Sequence, residues 1–238
     1  MRTIWFFFNL CGYLIYAWPY MIKAKRLDKA GKRDERDALV LPLVRRWALR
    51  MLKVAKVTPQ VSGLENLPGE PAVYVSNHQS DFDFLLMLAC LDAPHPIVAK
   101  KEILKVPVVR TWMTLFDCVF IDRDNARQSV MALQRAAEMI QQGKSVIVFP
   151  EGTRSKGDRM GEFKAGAFMM AFRAKCPIVP VAIDGSYKAM EAQGVWMRPA
   201  TVPVTILPKI DTAPLDRAAQ RALPEDIARR IAAAKTAN

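Results

Sequence analysis

The stretch SNHQSDFDF, residues 76–84, places one of the two histidines of the chain close to two aspartates. Inside a single helix His78 and Asp83 would lie about 140° apart around the axis and could not meet. They can meet if His78 lies in a strand-to-helix turn and the helix begins near Ser80 or Asp81, either of which is a plausible N-cap. Asp83 would then orient the imidazole, and its free nitrogen could take a proton from a bound hydroxyl group.

The same stretch permits two other interpretations. A lone histidine before a helix is more often structural than catalytic, and these nine residues alone favour the structural role. A metal site is less favoured, because His95 is the only other histidine and a single histidine among scattered carboxylates is a poor zinc site. The four cysteines are scattered without a CxxC pair, so they indicate neither zinc nor redox chemistry, and we expect no metal.

A second stretch, FPEGTRS at residues 149–155, has the composition of an anion-binding loop. Gly152 lets the backbone approach a ligand, and the Arg154 guanidinium can donate two parallel hydrogen bonds to phosphate oxygens. Glu151 could brace the turn or the histidine. The alternative is a solvated charged loop with an internal Glu–Arg pair, which is common.

Short runs rich in β-branched residues predict the strands that position these side chains. The runs are 72–76, 96–100, 118–122, 145–150, 177–183 and 202–207. Most are continuously apolar, as strands buried on both faces should be, and helical patterns such as 126–143 and 163–175 separate them. This alternation predicts an α/β fold with a mostly parallel central sheet flanked by helices. We place this main domain at 58–215 and a peripheral C-terminal helix, frayed at its end, at 216–238.

Four of the predicted strands are followed at once by a base or a cation. These are His78, Lys100, Arg123 and Arg154, and Asp184 follows a fifth strand. In open α/β sheets, ligands bind beyond the carboxyl ends of the strands. One such placement would carry little weight, but four predict a shared site for an anionic ligand.

Residues 1–57 are predicted to form a membrane-associated helical segment. Residues 3–22 form an uncharged run whose length is about that of a bilayer span. Trp5 and Trp18 within it suit the headgroup boundary. Whether this run spans or re-enters the bilayer stays open; if it spans, the basic residues that follow it place the main domain in the cytoplasm. Residues 39–56 show an apolar stripe opposite basic side chains, which alone fits a helix packed on the main domain at least as well as one on the lipid surface. Beside the 3–22 run, the lipid surface is favoured.

The placement of charge agrees with a lipid surface. The chain carries a formal net charge of +12, and the first 57 residues hold 13 lysines and arginines against 4 acidic residues. A basic block of this kind also occurs in nucleic-acid binders, but the uncharged run beside it favours anionic lipid.

Together these motifs resemble those of a known family. NHQSDFD has the form NHx4D, FPEGTRS follows it, AKKEI and FIDR stand between them, and VPVAIDG comes after. This ordered set of motifs is similar to that of the 1-acyl-glycerol-3-phosphate acyltransferases of the glycerolipid acyltransferase superfamily, over roughly residues 60–210.

The resemblance implies a role for each motif residue. His78 would be the general base, oriented by Asp83, and the attacked group would be the thioester of an acyl-CoA or acyl-carrier-protein donor. Such a thioester is already activated, so no metal or organic cofactor is implied. The remaining implied roles are acceptor phosphate binding by Arg154, Lys100 and Arg123, loop shaping by Asn77, Ser80, Glu151, Gly152 and Thr153, and lining of the acyl-donor side by Val179, Pro180, Asp184 and Gly185.

The sequence therefore predicts acylation of lysophosphatidate at its sn-2 hydroxyl, on the cytoplasmic face of the inner cell membrane. Other acceptors stay open, namely another lysophospholipid, a lyso-ornithine lipid or an acylated sugar. A non-catalytic lipid-binding adaptor is the alternative from another class, and a nucleic-acid binder comes third. Two placements also stay open: whether Lys100 or Lys101 points inward, and whether the methionine-rich helix 163–175 lines an acyl tunnel or, as we favour, packs in the core.

Overall fold

The computed structural model describes residues 1–236, which form seven α-helices and seven strands. The helices are α1 (Arg2–Lys29), α2 (Arg33–Ala55), α3 (Asp83–Cys90), α4 (Pro107–Leu115), α5 (Ala126–Gln141), α6 (Met169–Ala174) and α7 (Arg217–Thr236). The strands are β1 (Val57–Ser62), β2 (Val73–Ser76), β3 (Val98–Lys100), β4 (Val119–Ile121), β5 (Val146–Val148), β6 (Ile178–Ile183) and β7 (Ala200–Ile206).

The strands form a mostly parallel sheet, as predicted. Five of them pair in the order β1-β7-β6-β2-β5, and β3 and β4 form a parallel pair that joins β5 through a bridge from Ile97 to Ile147. Only β6 and β7 pair antiparallel. Strand β2 therefore lies at the centre, between β6 and β5, and the three strands end at the same edge of the sheet.

Helices cover both faces of the sheet. Since successive side chains of each strand point to opposite faces, each strand contributes to two cores. Tyr74 faces a core built with α1, α2 and α3, whereas Val73 and Val75 face a second core built with α5, α6 and α7. Continuously apolar strands such as β6, in which every residue is buried, are the sequence counterpart of a sheet covered on both sides.

The N-terminal helices share the first of these cores. In α2, Val40 and Met51 are buried, and Val44 and Trp47 pack against the same cluster. The prediction that this apolar stripe faces lipid is therefore wrong, because periodicity marks an apolar face without saying whether lipid or protein covers it. Helix α1 carries more of the exposed large apolar side chains than any other described element. Within the described residues, no helix combines the length and hydropathy needed to cross a bilayer.

A network of ion pairs around the buried Arg36 fastens α1 and α2 to the rest of the fold. The Arg36 side chain is 3% exposed and contacts carboxylate oxygens of Asp28 at 2.6 Å, Asp37 at 2.7 Å and Asp117 at 2.5 Å. The Lys144 ammonium contacts Asp37 at 2.7 Å and Asp117 at 2.5 Å. Since Asp117 precedes β4 and Lys144 precedes β5, the network joins the helical hairpin to two loops of the sheet.

The predicted elements that differ from the structure do so for local reasons. The six predicted strands are present, but β1 was not predicted, because Pro59 and its polar neighbours weaken the pattern of an edge strand. The helix predicted at 163–175 is a 3-10 turn followed by the short α6, in which Met170 is fully buried, so core packing is correct. Helix α7 buries Leu223 and its neighbours against the second core; part of the predicted fraying concerns residues 237–238, outside the described residues.

Candidate active site

His78 is held in place from four directions just beyond the end of β2. Its backbone N–H donates to Glu151 Oε1 at 2.7 Å, and its carbonyl accepts from the Ser155 N–H at 2.8 Å. Its ring stacks on Phe149, with centroids 4.4 Å apart. The fourth contact joins ring Nδ1 to Asp83 Oδ2 at 2.9 Å. The predicted strand-to-helix turn is thus present, and it fixes the orientation of the ring.

The Asp83 carboxylate is fully buried and fully hydrogen-bonded. Besides the imidazole, Oδ2 accepts from the backbone N–H groups of Gln79 at 2.6 Å and Ser80 at 2.8 Å. Oδ1 accepts from the Ser186 hydroxyl at 2.5 Å. Because backbone N–H groups can only donate, Oδ2 is an acceptor, and the network assigns the ring proton to Nδ1. Nε2 is then the nitrogen with a lone pair available for a proton.

The start of the following helix differs from the prediction. Helix α3 begins at Asp83 itself, and the residue before it, Phe82, makes no capping bond with its side chain. Neither Ser80 nor Asp81 caps the helix: the Ser80 hydroxyl accepts from the Phe82 N–H at 3.1 Å, and the Asp81 carboxylate pairs with Arg154. The Asp83 carboxylate accepts from the backbone N–H groups of residues 79 and 80. It thereby stabilises the turn before the helix, the role that we predicted for an N-cap at Ser80 or Asp81.

Glu151 braces the site through backbone contacts. Its carboxylate accepts from the His78 N–H at 2.7 Å and from the Gly161 N–H at 2.7 Å, which ties the histidine turn to the loop after Arg154. Burial raises the pKa of Glu151, and the two N–H donors counter only part of that effect. The neighbouring Gly152 has φ +70°, a conformation that favours glycine, so the turn needs this residue type.

Arg154 points into a cluster of opposite charge. Its Nη1 contacts the Asp81 carboxylate and lies 3.3 Å from Glu191 Oε1. Glu191 is itself fixed, because its two oxygens accept from the Ser80 hydroxyl at 2.6 Å and the Asp81 N–H at 2.8 Å. The sequence pattern did not single out Glu191, which lies 37 residues beyond Arg154 in a stretch without a motif.

A cavity of about 480 Å³ lies beside the His78 imidazole. Its polar lining comprises His78, Asp81, Lys100, Arg123, Gly152, Thr153 and Arg154, and its apolar lining includes Leu10 and Leu14 of α1, Val44 and Trp47 of α2, Phe84 and Leu88 of α3, and Val109, Trp112 and Met113 of α4. The structure thus brings the histidine, all three predicted phosphate-binding cations and an apolar chamber into one space. The chamber walls come from α1 to α4 and not from the methionine-rich segment.

Of the two adjacent lysines, Lys100 lines the cavity. Lys101 turns away and places its ammonium 2.5 Å from Asp122 Oδ2. This hydrogen bond raises the pKa of Lys101 and lowers the pKa of Asp122, so the pair is fixed in its charged form. Lys100 is accordingly the lysine that can meet a ligand here.

Eight predicted site residues do not line the cavity. Asp83, Ser80 and Glu151 brace the histidine turn as described above, and the other five are Asn77, Val179, Pro180, Asp184 and Gly185. Asn77 clamps β2 to β6, since its side-chain amide exchanges hydrogen bonds of 2.8 and 2.9 Å with the backbone of Ile183. Val179 and Pro180 are buried within β6 and do not line the cavity, and their implied place on the acyl-donor side stays a prediction. Asp184 lines a separate cavity of about 440 Å³, and Gly185, with φ +73°, forms the turn before Ser186. Among the described residues, no group of side chains has the composition of a metal site.

The segment after Gly185 connects the His78–Asp83 pair to the first turn of α1. Ser186 bonds to Asp83, and ten residues later the chain reaches the N-terminal helix. There the Thr3 hydroxyl donates to the Val195 carbonyl at 3.3 Å and accepts from the Met197 N–H at 3.0 Å. Ser186 follows the IDG motif directly, so its position was the one available signal for this otherwise unpredicted contact.

Comparison with known proteins gives one family. The family model described as Acyltransferase matches residues 58–184, slightly more than half of the chain. A Mycoplasma pneumoniae protein named "Probable 1-acyl-sn-glycerol-3-phosphate acyltransferase" is 38% identical over 149 residues, which are 61% of this chain and 54% of that protein. The Brassica napus protein named "1-acyl-sn-glycerol-3-phosphate acyltransferase BAT2, chloroplastic" is 42% identical over 132 residues, 55% of this chain and 38% of that protein.

The chain thus spans about half the length, or less, of these curated relatives. A solved structure is similar over a much larger share. The crystal structure of the 1-acyl-sn-glycerophosphate (LPA) acyltransferase PlsC from Thermotoga maritima superposes with a TM-score of 0.83 at 27% sequence identity. The alignment covers 100% of this chain and 95% of that one, so the N-terminal helices and the sheet are both part of the shared fold.

Proposed function

Since the chain belongs to the acyltransferase family, we propose that it transfers a fatty acyl group from a thioester to the sn-2 hydroxyl of lysophosphatidate, yielding phosphatidate. One observation carries this proposal: an imidazole fixed through Nδ1 on the buried Asp83 faces a cavity that is cationic in one part and apolar in another. Such a cavity suits a molecule with a phosphate, an acyl chain and a hydroxyl between them. The curated relatives and the similar solved structure bear names for this same activity.

The proposed reaction requires one base and a fixed orientation. His78 Nε2 takes the proton of the acceptor hydroxyl while the oxygen attacks the thioester carbonyl. Asp83, held by four donors, stabilises the imidazolium that forms. The tetrahedral intermediate then collapses, the C–S bond breaks, and the imidazolium returns its proton to the leaving sulfur. A thioester acyl donor, acyl-CoA or an acyl-carrier protein, supplies all the activation this chemistry needs, so we propose no cofactor.

The cations of the cavity are proposed to hold the acceptor phosphate. Arg154 can donate two parallel hydrogen bonds to phosphate oxygens, while Lys100 and Arg123 act as positive charges at the same cavity. The apolar walls from α1 to α4 would accommodate an acyl chain, because buried methylene groups gain about 0.8 kcal/mol each on leaving water. The acceptor would thus be aligned at both ends with its hydroxyl near His78.

We further propose that the protein works on the cytoplasmic face of the inner cell membrane, with α1 in contact with lipid. The outward residues Trp5, Phe8, Ile15 and Trp18 of α1 are 51–75% exposed, an unusual number of large apolar side chains on one solvent-facing helix. Basic residues in the last turn of α1 suit an anionic headgroup layer. Both substrate and product would remain in the bilayer beside the cavity.

The experiment that tests the function measures thiol release from a long-chain acyl-CoA with and without lysophosphatidate, together with the mass of the lipid product. Native protein should release thiol only with the acceptor and should form phosphatidate. His78→Ala should abolish transfer while the thermal unfolding midpoint stays close to native. Failure of the native protein to turn over any thioester would favour the lipid-binding adaptor instead, and near-native turnover by His78→Ala would refute the assignment of the base.

Arg154→Ala gives an independent check on the phosphate site. It should raise the KM for lysophosphatidate and leave the KM for the acyl donor unchanged. An unchanged acceptor KM would remove Arg154 from that site.

A further inference from the structure

We propose that the Asp81 carboxylate competes with the phosphate of the substrate for Arg154. It leaves Arg154 when the acceptor phosphate binds, and it returns to Arg154 when the product phosphate is released. The inference rests on the proposed function, because it assigns Arg154 to that phosphate. It concerns a residue inside the NHx4D stretch that is neither the base nor its orienting carboxylate. The Asp81 carboxylate thereby sets the affinity of the site for the acceptor and for the product, both of which carry a phosphate.

The two carboxylates on Arg154 are held very differently. Glu191 has a side chain only 5% exposed, and its oxygens are anchored by the Ser80 hydroxyl at 2.6 Å and the Asp81 N–H at 2.8 Å. The Asp81 carboxylate is 56% exposed and lines the cavity, and its bond to Arg154 is the one side-chain hydrogen bond found for it among residues 1–236. Glu191 is therefore a fixed partner, whereas Asp81 can swing into solvent without leaving a buried group unpaired.

The position of Asp81 is the position that a phosphate would need. Its oxygen lies on Nη1 of Arg154, at the same cavity as Lys100, Arg123 and His78. A carboxylate on an arginine imitates one edge of a phosphate, so Asp81 occupies a place on Arg154 that a phosphate could take. This pair must break before Nη1 of Arg154 can donate to phosphate oxygens of the acceptor.

The energetic balance allows the exchange in both directions. Exposed ion pairs are weak, because solvent screens them and two side chains must be ordered, so a phosphate assisted by two more cations can displace Asp81. The product carries the same phosphate group as the acceptor, and acyl transfer leaves that group on Arg154. The return of Asp81 then helps to release phosphatidate, which product binding would otherwise delay.

The test compares Asp81→Asn, which keeps the shape and removes the charge, with Asp124→Asn. Asp124 is an exposed acid next to Arg123 that does not line the cavity, so it controls for a general change in surface charge. Asp81→Asn should lower the KM for lysophosphatidate and the inhibition constant of phosphatidate by the same factor, about two- to fivefold, the range that an exposed ion pair allows. The KM for the acyl donor should stay unchanged, and Asp124→Asn should resemble native protein.

Binding of sn-glycerol 3-phosphate, measured by titration calorimetry, separates this inference from the proposed function. The Kd should fall about two- to fivefold in Asp81→Asn, and that gain should vanish when Arg154 is alanine in both proteins being compared. The expected change in Kd does not depend on acylation. If the protein failed to acylate lysophosphatidate but showed this change in Kd, the proposed function would be refuted and the inference about Asp81 would stand. An unchanged or higher Kd and KM in Asp81→Asn would overturn the inference. So would a higher KM for lysophosphatidylethanolamine alone, which would assign Asp81 to an ammonium head group.

Discussion

Replacing Ser186 by alanine removes one hydrogen bond from the Asp83 carboxylate and leaves the cavity untouched. The Ser186 hydroxyl lies 2.5 Å from Asp83 Oδ1, and both side chains are fully buried, so no bulk water replaces the lost donor. Hydrogen bonds to charged groups contribute about 1.5–3 kcal/mol. If that energy supports the imidazolium in the transition state, kcat should fall about ten- to a hundredfold, since each 1.4 kcal/mol is about a factor of ten.

The assay separates this effect from a general loss of stability. Both KM values should stay within about twofold of native, because Ser186 does not line the cavity. The matched control is Ser145→Ala: Ser145 is 7% exposed, and its hydroxyl accepts from the Ala72 N–H at 3.1 Å at the opposite end of the sheet. That variant should lose about 1 kcal/mol of unfolding free energy and keep its kcat. The reasoning fails if Ser186→Ala slows transfer no more than Ser145→Ala does, or if the loss lies entirely in KM.

Three further outcomes are expected. Arg36→Met removes the buried cation from three partly exposed carboxylates, two of which keep Lys144, and should lower the unfolding free energy by about 1.5–3 kcal/mol in urea titrations; a loss below about 0.5 kcal/mol would contradict a stabilising network. Burial raises the pKa of Glu151 above its ordinary 4.5, so its contribution to stability is full below that value and declines as the pH rises through the folded pKa; Glu151→Gln should remove this decline in melting curves. Cys11 is exposed on α1, while burial raises the pKa of the other three thiols to about 11 or 12, so a charged thiol reagent should modify Cys11 first, and anionic vesicles should block that reaction if α1 contacts lipid.

The parts of the fold that local pattern determines could be predicted from the sequence. Buried parallel strands need continuous β-branched runs, and six such runs correspond to β2 to β7. Strand β1 escaped prediction because an edge strand tolerates Pro59 and polar residues that a central strand would not. The amphipathic character of α2 was recognisable, yet the identity of the layer over its apolar face was not, because lipid and protein core require the same periodicity.

The site shows the same division between local and distant information. The spacing of His78 and Asp83 selects a strand-to-helix turn, and that turn is present. The partners that complete it come from elsewhere: Ser186, which donates to Asp83, lies 103 residues beyond it, and Glu191, which accepts from Ser80, lies 111 residues beyond that residue. Contacts between such distant positions are created by the order of the strands in the sheet, which a single sequence does not reveal.

The segment between Gly185 and Met197 has a practical consequence for anyone who wishes to handle this protein in water. One end of it bonds to the Asp83 carboxylate behind His78, and the other end is bonded to Thr3 in the first turn of α1. Trimming the N-terminal helices to gain solubility would therefore remove the anchor of the segment that holds Asp83, as well as two walls of the cavity beside His78. Detergent or nanodisc preparations of the full chain preserve both, and a shortened version without the proposed activity would say nothing about whether that activity needs a bilayer.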